Sequence, residues 1–176
     1  MSAERQTRPP ASGLALGAAT LAMGLLAGLF YAYACSVMPG LARADDRTLV
    51  DAMQQINDAI ENPVFFLSFL GAPLLMLAAL ILQHRAGARR VVVWIGAALL
   101  LYGVAFVVTG AINIPLNDDL KQAGDPDRVA DLTRVRDDFY APWVAWNVVR
   151  TAASIAALGC LIYALLVHTR AARAEP

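Results

Sequence analysis

The sequence predicts an all-α integral membrane protein: a four-helix bundle, up-down, with short amphipathic helices in its two outer loops. Three observations carry this. First, 59% of the 176 residues are apolar and 16% are charged, against about 45–50% and about 25% in soluble domains. Second, four stretches (13–38, 63–82, 91–112 and 142–167) are long enough to cross a bilayer, which takes about 20 apolar residues. Third, those stretches hold a single charged residue, Arg150. Only helices satisfy their own backbone within lipid. The composition excludes a disordered chain, a basic nucleic-acid binder and an ordinary soluble enzyme. Formal charge is zero, and two Cys and two His leave little for a disulfide framework or a metal centre. A single membrane domain over 13–168 is expected, with flexible tails at 1–12 and 169–176.

The first span follows Arg5 and Arg8, and Ala32-Tyr33-Ala34 before Cys35 has the outline of a cleavage site. Its apolar run exceeds the 7–15 residues of a signal h-region, so it is expected to be retained. Gly13, Gly17, Thr20, Gly24 and Gly28 form a small-residue stripe, and Gly96, Gly103 and Gly110 repeat every seven residues in the third span. Small residues let membrane helices approach closely, so spans one and three are expected to sit close near the cytoplasmic side. The alternative is that these glycines leave room for a flat ligand. The short connection between spans two and three makes those two antiparallel neighbours.

In the first outer loop, Leu49, Met53, Ile56 and Ile60 fall at helical spacing, and Asn62-Pro63 reads as N-cap and first helical residue of span two. In the second, Asp125-Pro126 opens a short helix carrying Val129, Leu132, Val135 and Phe139 on one stripe. The two sides of the membrane differ in charge. The tails and the middle loop hold seven Arg against two Glu. The two outer loops hold six basic residues against twelve acids. The basic residues of the first set sit close to span ends, which places both termini in the cytoplasm of a multi-pass protein of the cell (inner or plasma) membrane.

Polar residues gather at the outer end. The first span leaves through Tyr31, Tyr33, Cys35 and Ser36, and the second is preceded by Asn57, Asp58, Glu61 and Asn62. The third ends in Asn113 and Asn117, and the fourth begins with Trp143, Trp146, Asn147, Arg150 and Thr151. Trp143, Asn147, Arg150 and Ser154 share one helix face. An arginine inside a span demands a partner; no acid lies inside any span, so Glu61 at the outer end is the first candidate, with Asp58 or an Asn next. A structural ion pair or an arginine snorkelling to the interface is the plainer reading. Trp143 and Trp146 also suit an aromatic belt, and Asn113 and Asn117 suit a helix C-cap before Pro115. His84 and His168 fall at the opposite end, which argues against a bis-histidine haem. Cys35 and Cys160 sit near opposite faces, too far apart for a disulfide.

These residues resemble a known family. The Tyr31-Ala-Tyr33-Ala-Cys35-Ser36-Val-Met38-Pro39-Gly40 exit, Met53-Gln-Gln-Ile-Asn57 with Asn62-Pro63-Val-Phe65, Asn113-Ile-Pro115-Leu-Asn117, and Trp143-x-x-Trp146-Asn147-x-x-Arg150-Thr151 are similar, in order, to anthrone-oxygenase-like proteins. These are small four-span membrane proteins, many grouped as a domain of unknown function. The resemblance implies oxidation of an anthrone to an anthraquinone by dioxygen, a co-substrate, with no metal or flavin. It casts Glu61 or Asp58 as base and Arg150 with Asn113, Asn117 or Asn147 as the oxyanion holder. Tyr31, Tyr33 and Trp146 wall an apolar slot, with Trp143 and Asn57 beside it. The expected pocket is wedge-shaped, apolar below and polar at its rim. Expected partners are the bilayer and a small aromatic or quinone-like ligand, with no nucleic acid; self-association is left open. The competing reading is a non-enzymatic lipid- or quinone-binding or accessory membrane protein, in which the same polar groups satisfy one another and leave no cavity. A transporter ranks third, because four spans with one charge offer little ion pathway.

Overall fold

The computed structural model describes residues 10–173. Of the expected flexible tails, 1–9 and 174–176 lie outside the described residues, while 10–12 and 169–173 are helical. No strand occurs among the described residues. The elements are α1 (Pro10–Ala32), a π-turn (Tyr33–Val37), α2 (Met38–Leu41), α3 (Asp46–Ile60), α4 (Pro63–Arg85), α5 (Arg89–Val108), a second π-turn (Thr109–Asn113), α6 (Ile114–Gln122), a 3-10 turn (Pro126–Arg128) and α7 (Leu132–Arg173). They form four helices long and apolar enough to cross a membrane: Ala11–Leu41, Pro63–Arg85, Arg89–Gln122 and Leu132–Ala171.

Caps fall where the sequence places them. The Asn62 side chain accepts from the backbone N–H of Val64 and Phe65 at 3.0 and 3.1 Å, and Pro63 begins α4. Asp45 caps α3 through the Thr48 N–H. A tight turn through Gly87, at φ +68, joins α4 to α5, a conformation open to glycine at no steric cost. Leu49, Val50 and Met53 of α3 are buried in a small outer core with Met38, Leu120, Phe139 and Trp143. The larger core runs down the bundle through Leu16, Met23, Met76, Ile95 and Leu161.

Three expectations change. The prolines do not end the helices. Pro39 and Pro115 each stand two residues after a π-turn, in which Met38 N–H reaches Tyr33 O and Ile114 N–H reaches Thr109 O. These wider turns carry the chain past a residue that has no N–H of its own, so Asn113 lies inside a continuous helical run and is not a C-cap. The helix expected after Asp125 is a single 3-10 turn. Its later apolar residues, Leu132, Val135 and Phe139, belong to α7, which runs unbroken through Pro142. The glycine stripes also do not join spans one and three. α1 packs on α4 and α7, and α5 packs on the same two helices, so spans one and three lie across a diagonal. A Cβ placed at Gly17, Gly28, Gly96, Gly103 or Gly110 would meet nothing within 4 Å. Spans two and three are neighbours, as their short connection requires.

Candidate functional site

A cavity of about 120 Å³ opens at the end of the bundle that carries the outer helices. Every span contributes to it. Phe30 and Tyr33 come from the first, Phe65, Phe66 and Phe69 from the second, Thr109, Asn113 and Asn117 from the third, and Trp143 and Arg150 from the fourth; α3 closes it with Ile56, Asn57, Ile60 and Glu61. Both π-turns face it, the first through Tyr33 and the second through Thr109 and Asn113. The wall is mostly apolar with a few convergent polar groups, the usual make-up of a small-molecule site.

Arg150 is 6% exposed, and among the described residues no carboxylate forms an ion pair with it. Its Nη2 donates to Asn147 Oδ1 at 2.9 Å and its Nη1 to Thr109 Oγ1 at 3.4 Å. Its guanidinium carbon stands 4.6 Å from the Phe30 ring centroid and 5.3 Å from that of Trp143, so two aromatic faces share the cation. Its Nε has no partner. Asn147 stands behind it, donating through Nδ2 to the Phe30 carbonyl at 3.2 Å. The partner of Arg150 is therefore an amide one turn earlier on its own helix, not Glu61 or Asp58.

Trp143 is held at both polar ends. Its indole N–H donates to Asn117 Oδ1 at 2.8 Å, and its carbonyl accepts a long bond, 3.4 Å, from Asn113 Nδ2. Tyr33 leans on its ring at 5.6 Å between centroids. Asn113 Oδ1 and Asn57 Nδ2, both on residues lining the cavity, are buried without partners.

The structure thus brings Tyr33, Asn57, Glu61, Asn113, Asn117, Trp143 and Arg150 together around one cavity, with Asn147 supporting Arg150 from behind. It does not bring Asp58, Tyr31 or Trp146 there. Asp58 is one residue, about 100°, round α3 from Asn57, and Lys121 holds its carboxylate at 2.7 Å on the outer surface. Tyr31 is 54% exposed and Trp146 39%; both turn to the apolar exterior, where Trp146 suits an aromatic belt. Glu61 follows the last turn of α3 and stands exposed at the rim. Phe30, Phe69 and Thr109 went unnoticed in the sequence. Thr109 was the most accessible of them, since it lies one helical turn before Asn113.

Four long apolar helices with a part-polar pocket at one end define a multi-pass membrane protein. The family model described as anthrone oxygenase matches residues 63–160, more than half of the chain, and the chain belongs to that family. The match takes in Asn113, Asn117, Trp143, Asn147 and Arg150, while Tyr33, Asn57 and Glu61 lie before it. No curated protein and no solved structure matches the chain.

Proposed function

We propose that this protein oxidises an anthrone-type aromatic with dioxygen, holding the substrate in the Arg150 cavity, in a cell membrane with both chain termini in the cytoplasm. The observation that carries the reading is the buried guanidinium that no carboxylate among the described residues neutralises. An unpaired buried charge is costly, and an oxyanion in the cavity would compensate it. Family membership supports an anthrone-type substrate.

The chemistry needs little beyond what the walls offer. A methylene flanked by two aryl rings loses a proton to the Glu61 carboxylate, and the electron pair left behind spreads onto the ring oxygen as an oxyanion. Arg150 would stabilise that oxyanion, with Asn113 as a neighbouring hydrogen-bonding group. The carbanion passes an electron to dioxygen and the resulting pair joins as a peroxide. The peroxide loses water to leave the carbonyl, so that CH2 and O2 become C=O and H2O. Phe30, Phe69, Tyr33 and Trp143 supply faces for the rings, and the unpartnered Asn57 and Asn113 atoms supply a donor and an acceptor for ring substituents.

Oxygen uptake and anthraquinone formation in membranes tests this, with membranes lacking the protein as the spontaneous background. Wild type should exceed background. Glu61→Gln and Arg150→Ala should each lose roughly a hundredfold of the excess. Rates equal to background in all three, with an aromatic ligand still bound, would favour the non-enzymatic binding protein.

A further inference from the structure

We propose a second binding site, for the phosphate of an anionic phospholipid headgroup, in the groove between spans three and four at the end of the bundle opposite the Arg150 cavity. The groove encloses about 560 Å³ and is lined by Arg89, Arg90 and Arg170 above Val91, Val167 and Tyr163. Three guanidiniums around one groove repel one another. Among the described residues none of them forms an ion pair. The described part of this end holds no Asp or Glu at all, since every described acid lies between Asp45 and Asp138. Among the described residues the charge is therefore uncompensated locally, whereas at the other end Arg47 and Arg136 are paired with carboxylates.

Three further features suit a lipid over a free anion. Arginine forks match the paired oxygens of a phosphate. α5 begins here at Arg89 without a side-chain cap on Ala88, so its first N–H groups add partial positive charge. One turn further in, Trp94 and Tyr163 meet at a tilt of 57° with centroids 4.7 Å apart, and both are open to the exterior. Trp94 lies four residues beyond Arg90, about 6 Å along the helix. The phosphate would sit among the arginines, the glycerol region would lie on the aromatic pair, and the acyl chains would follow the apolar seam. Basic pockets between spans take lipid headgroups in this way.

Native mass spectrometry of the whole chain in detergent, titrated with phosphatidylglycerol, phosphatidylcholine or inorganic phosphate, tests the assignment. Phosphatidylglycerol should bind at least tenfold more tightly than phosphatidylcholine. Arg89→Gln/Arg170→Gln should lose that preference, whereas Arg85→Gln, which removes a neighbouring charge outside the groove, should keep it. The single variant Arg170→Gln, altered at an exposed position, should show a partial loss if the double variant is poorly folded. Equal loss in Arg85→Gln would mean diffuse attraction and overturn the site. Competition by inorganic phosphate as strong as that by the lipid would overturn the lipid assignment.

Discussion

The hydroxyl of Tyr102 supplies the hydrogen bond that Pro73 cannot make. Pro73 stands inside α4 and has no N–H to offer the carbonyl of Phe69, one turn earlier. The Tyr102 hydroxyl, brought across from α5, donates to that carbonyl at 2.7 Å in the middle of the bundle. Tyr102→Phe leaves the buried carbonyl unpaired, which should cost about 1–3 kcal/mol. Pro73→Ala restores a backbone donor, so Tyr102→Phe should cost much less in that background. Unfolding of the four variants in micelles measures the coupling as a double-mutant cycle, and strict additivity would contradict the pairing.

Asn147 should matter more to folding than Asn117, although both lie beside Trp143 and Arg150. Asn147 is buried, accepts from Arg150 and donates to Phe30; Asn117 is partly exposed and accepts once, from Trp143. Asn147→Ala is expected to cost about 2–4 kcal/mol and Asn117→Ala about 1 kcal/mol. Thermal unfolding in detergent reads the difference. The same Asn147→Ala protein should bind an anthraquinone product more weakly, because Arg150 loses its positioning partner.

The glycine stripes should tolerate alanine. Nothing lies within 4 Å of a Cβ at Gly96 or Gly103, and alanine is worth up to about 1 kcal/mol over glycine inside a helix. Gly96→Ala and Gly103→Ala are expected to hold or raise the unfolding midpoint. Gly13→Ala, whose Cβ would meet the His168 ring at 3.0 Å, is expected to lower it unless that ring shifts.

Acid should loosen the outer cap before the membrane core. The Thr133 hydroxyl and then Arg136 hold the Asp46 carboxyl below its ordinary range, and Arg47 does the same for Asp127. A carboxyl whose pKa is lowered by folding contributes stability that is complete above its unfolded value, about 3.9, and is lost as pH falls through the lower folded value. Hydrogen exchange should therefore rise in α3 and around residues 125–133 below about pH 4, with α4 and α5 unchanged. Equal protection at pH 3 and pH 7 would contradict this.

The orientation is open to a direct measurement. Cysteine introduced at Gly87 should react with a membrane-impermeant thiol reagent only after the cells are opened. Cysteine at Ala123 should react in intact cells.

What was legible in the sequence, and what was not, follows physical lines. The spans, α3 and the Asn62-Pro63 start of α4 were legible because they depend on local hydropathy, periodicity and capping. The cluster of Asn57, Asn113, Asn117, Trp143 and Arg150 was legible in outline because polar side chains near span ends are costly and few. The partner of Arg150 was legible only as the alternative, an Asn ranked behind two acids. Two aromatic faces, an amide and a hydroxyl accommodate the cation instead, and nothing in the spacing of Phe30 to Arg150 reports that contact. Pro115 and Pro142 misled in the other direction. The first suits a helix end and the second a helix start by the local rule, and both are carried inside helices by the surrounding bundle. The glycine periodicity was real, but a period alone does not say whether a stripe faces a neighbour or lipid.

The π-turns also set the phase of everything beyond them. One added residue in a helical turn rotates the following side chains by about 100° without breaking the rod. Tyr33–Val37 and Thr109–Asn113 therefore work like single-residue insertions into a regular helix. Deleting Ala34 or Ala111 would leave each rod straight and almost as long. It would also turn Met38 away from the outer core and swing Asn117 off Trp143. The mouth of the cavity is thus indexed by two residues that are not among those lining it.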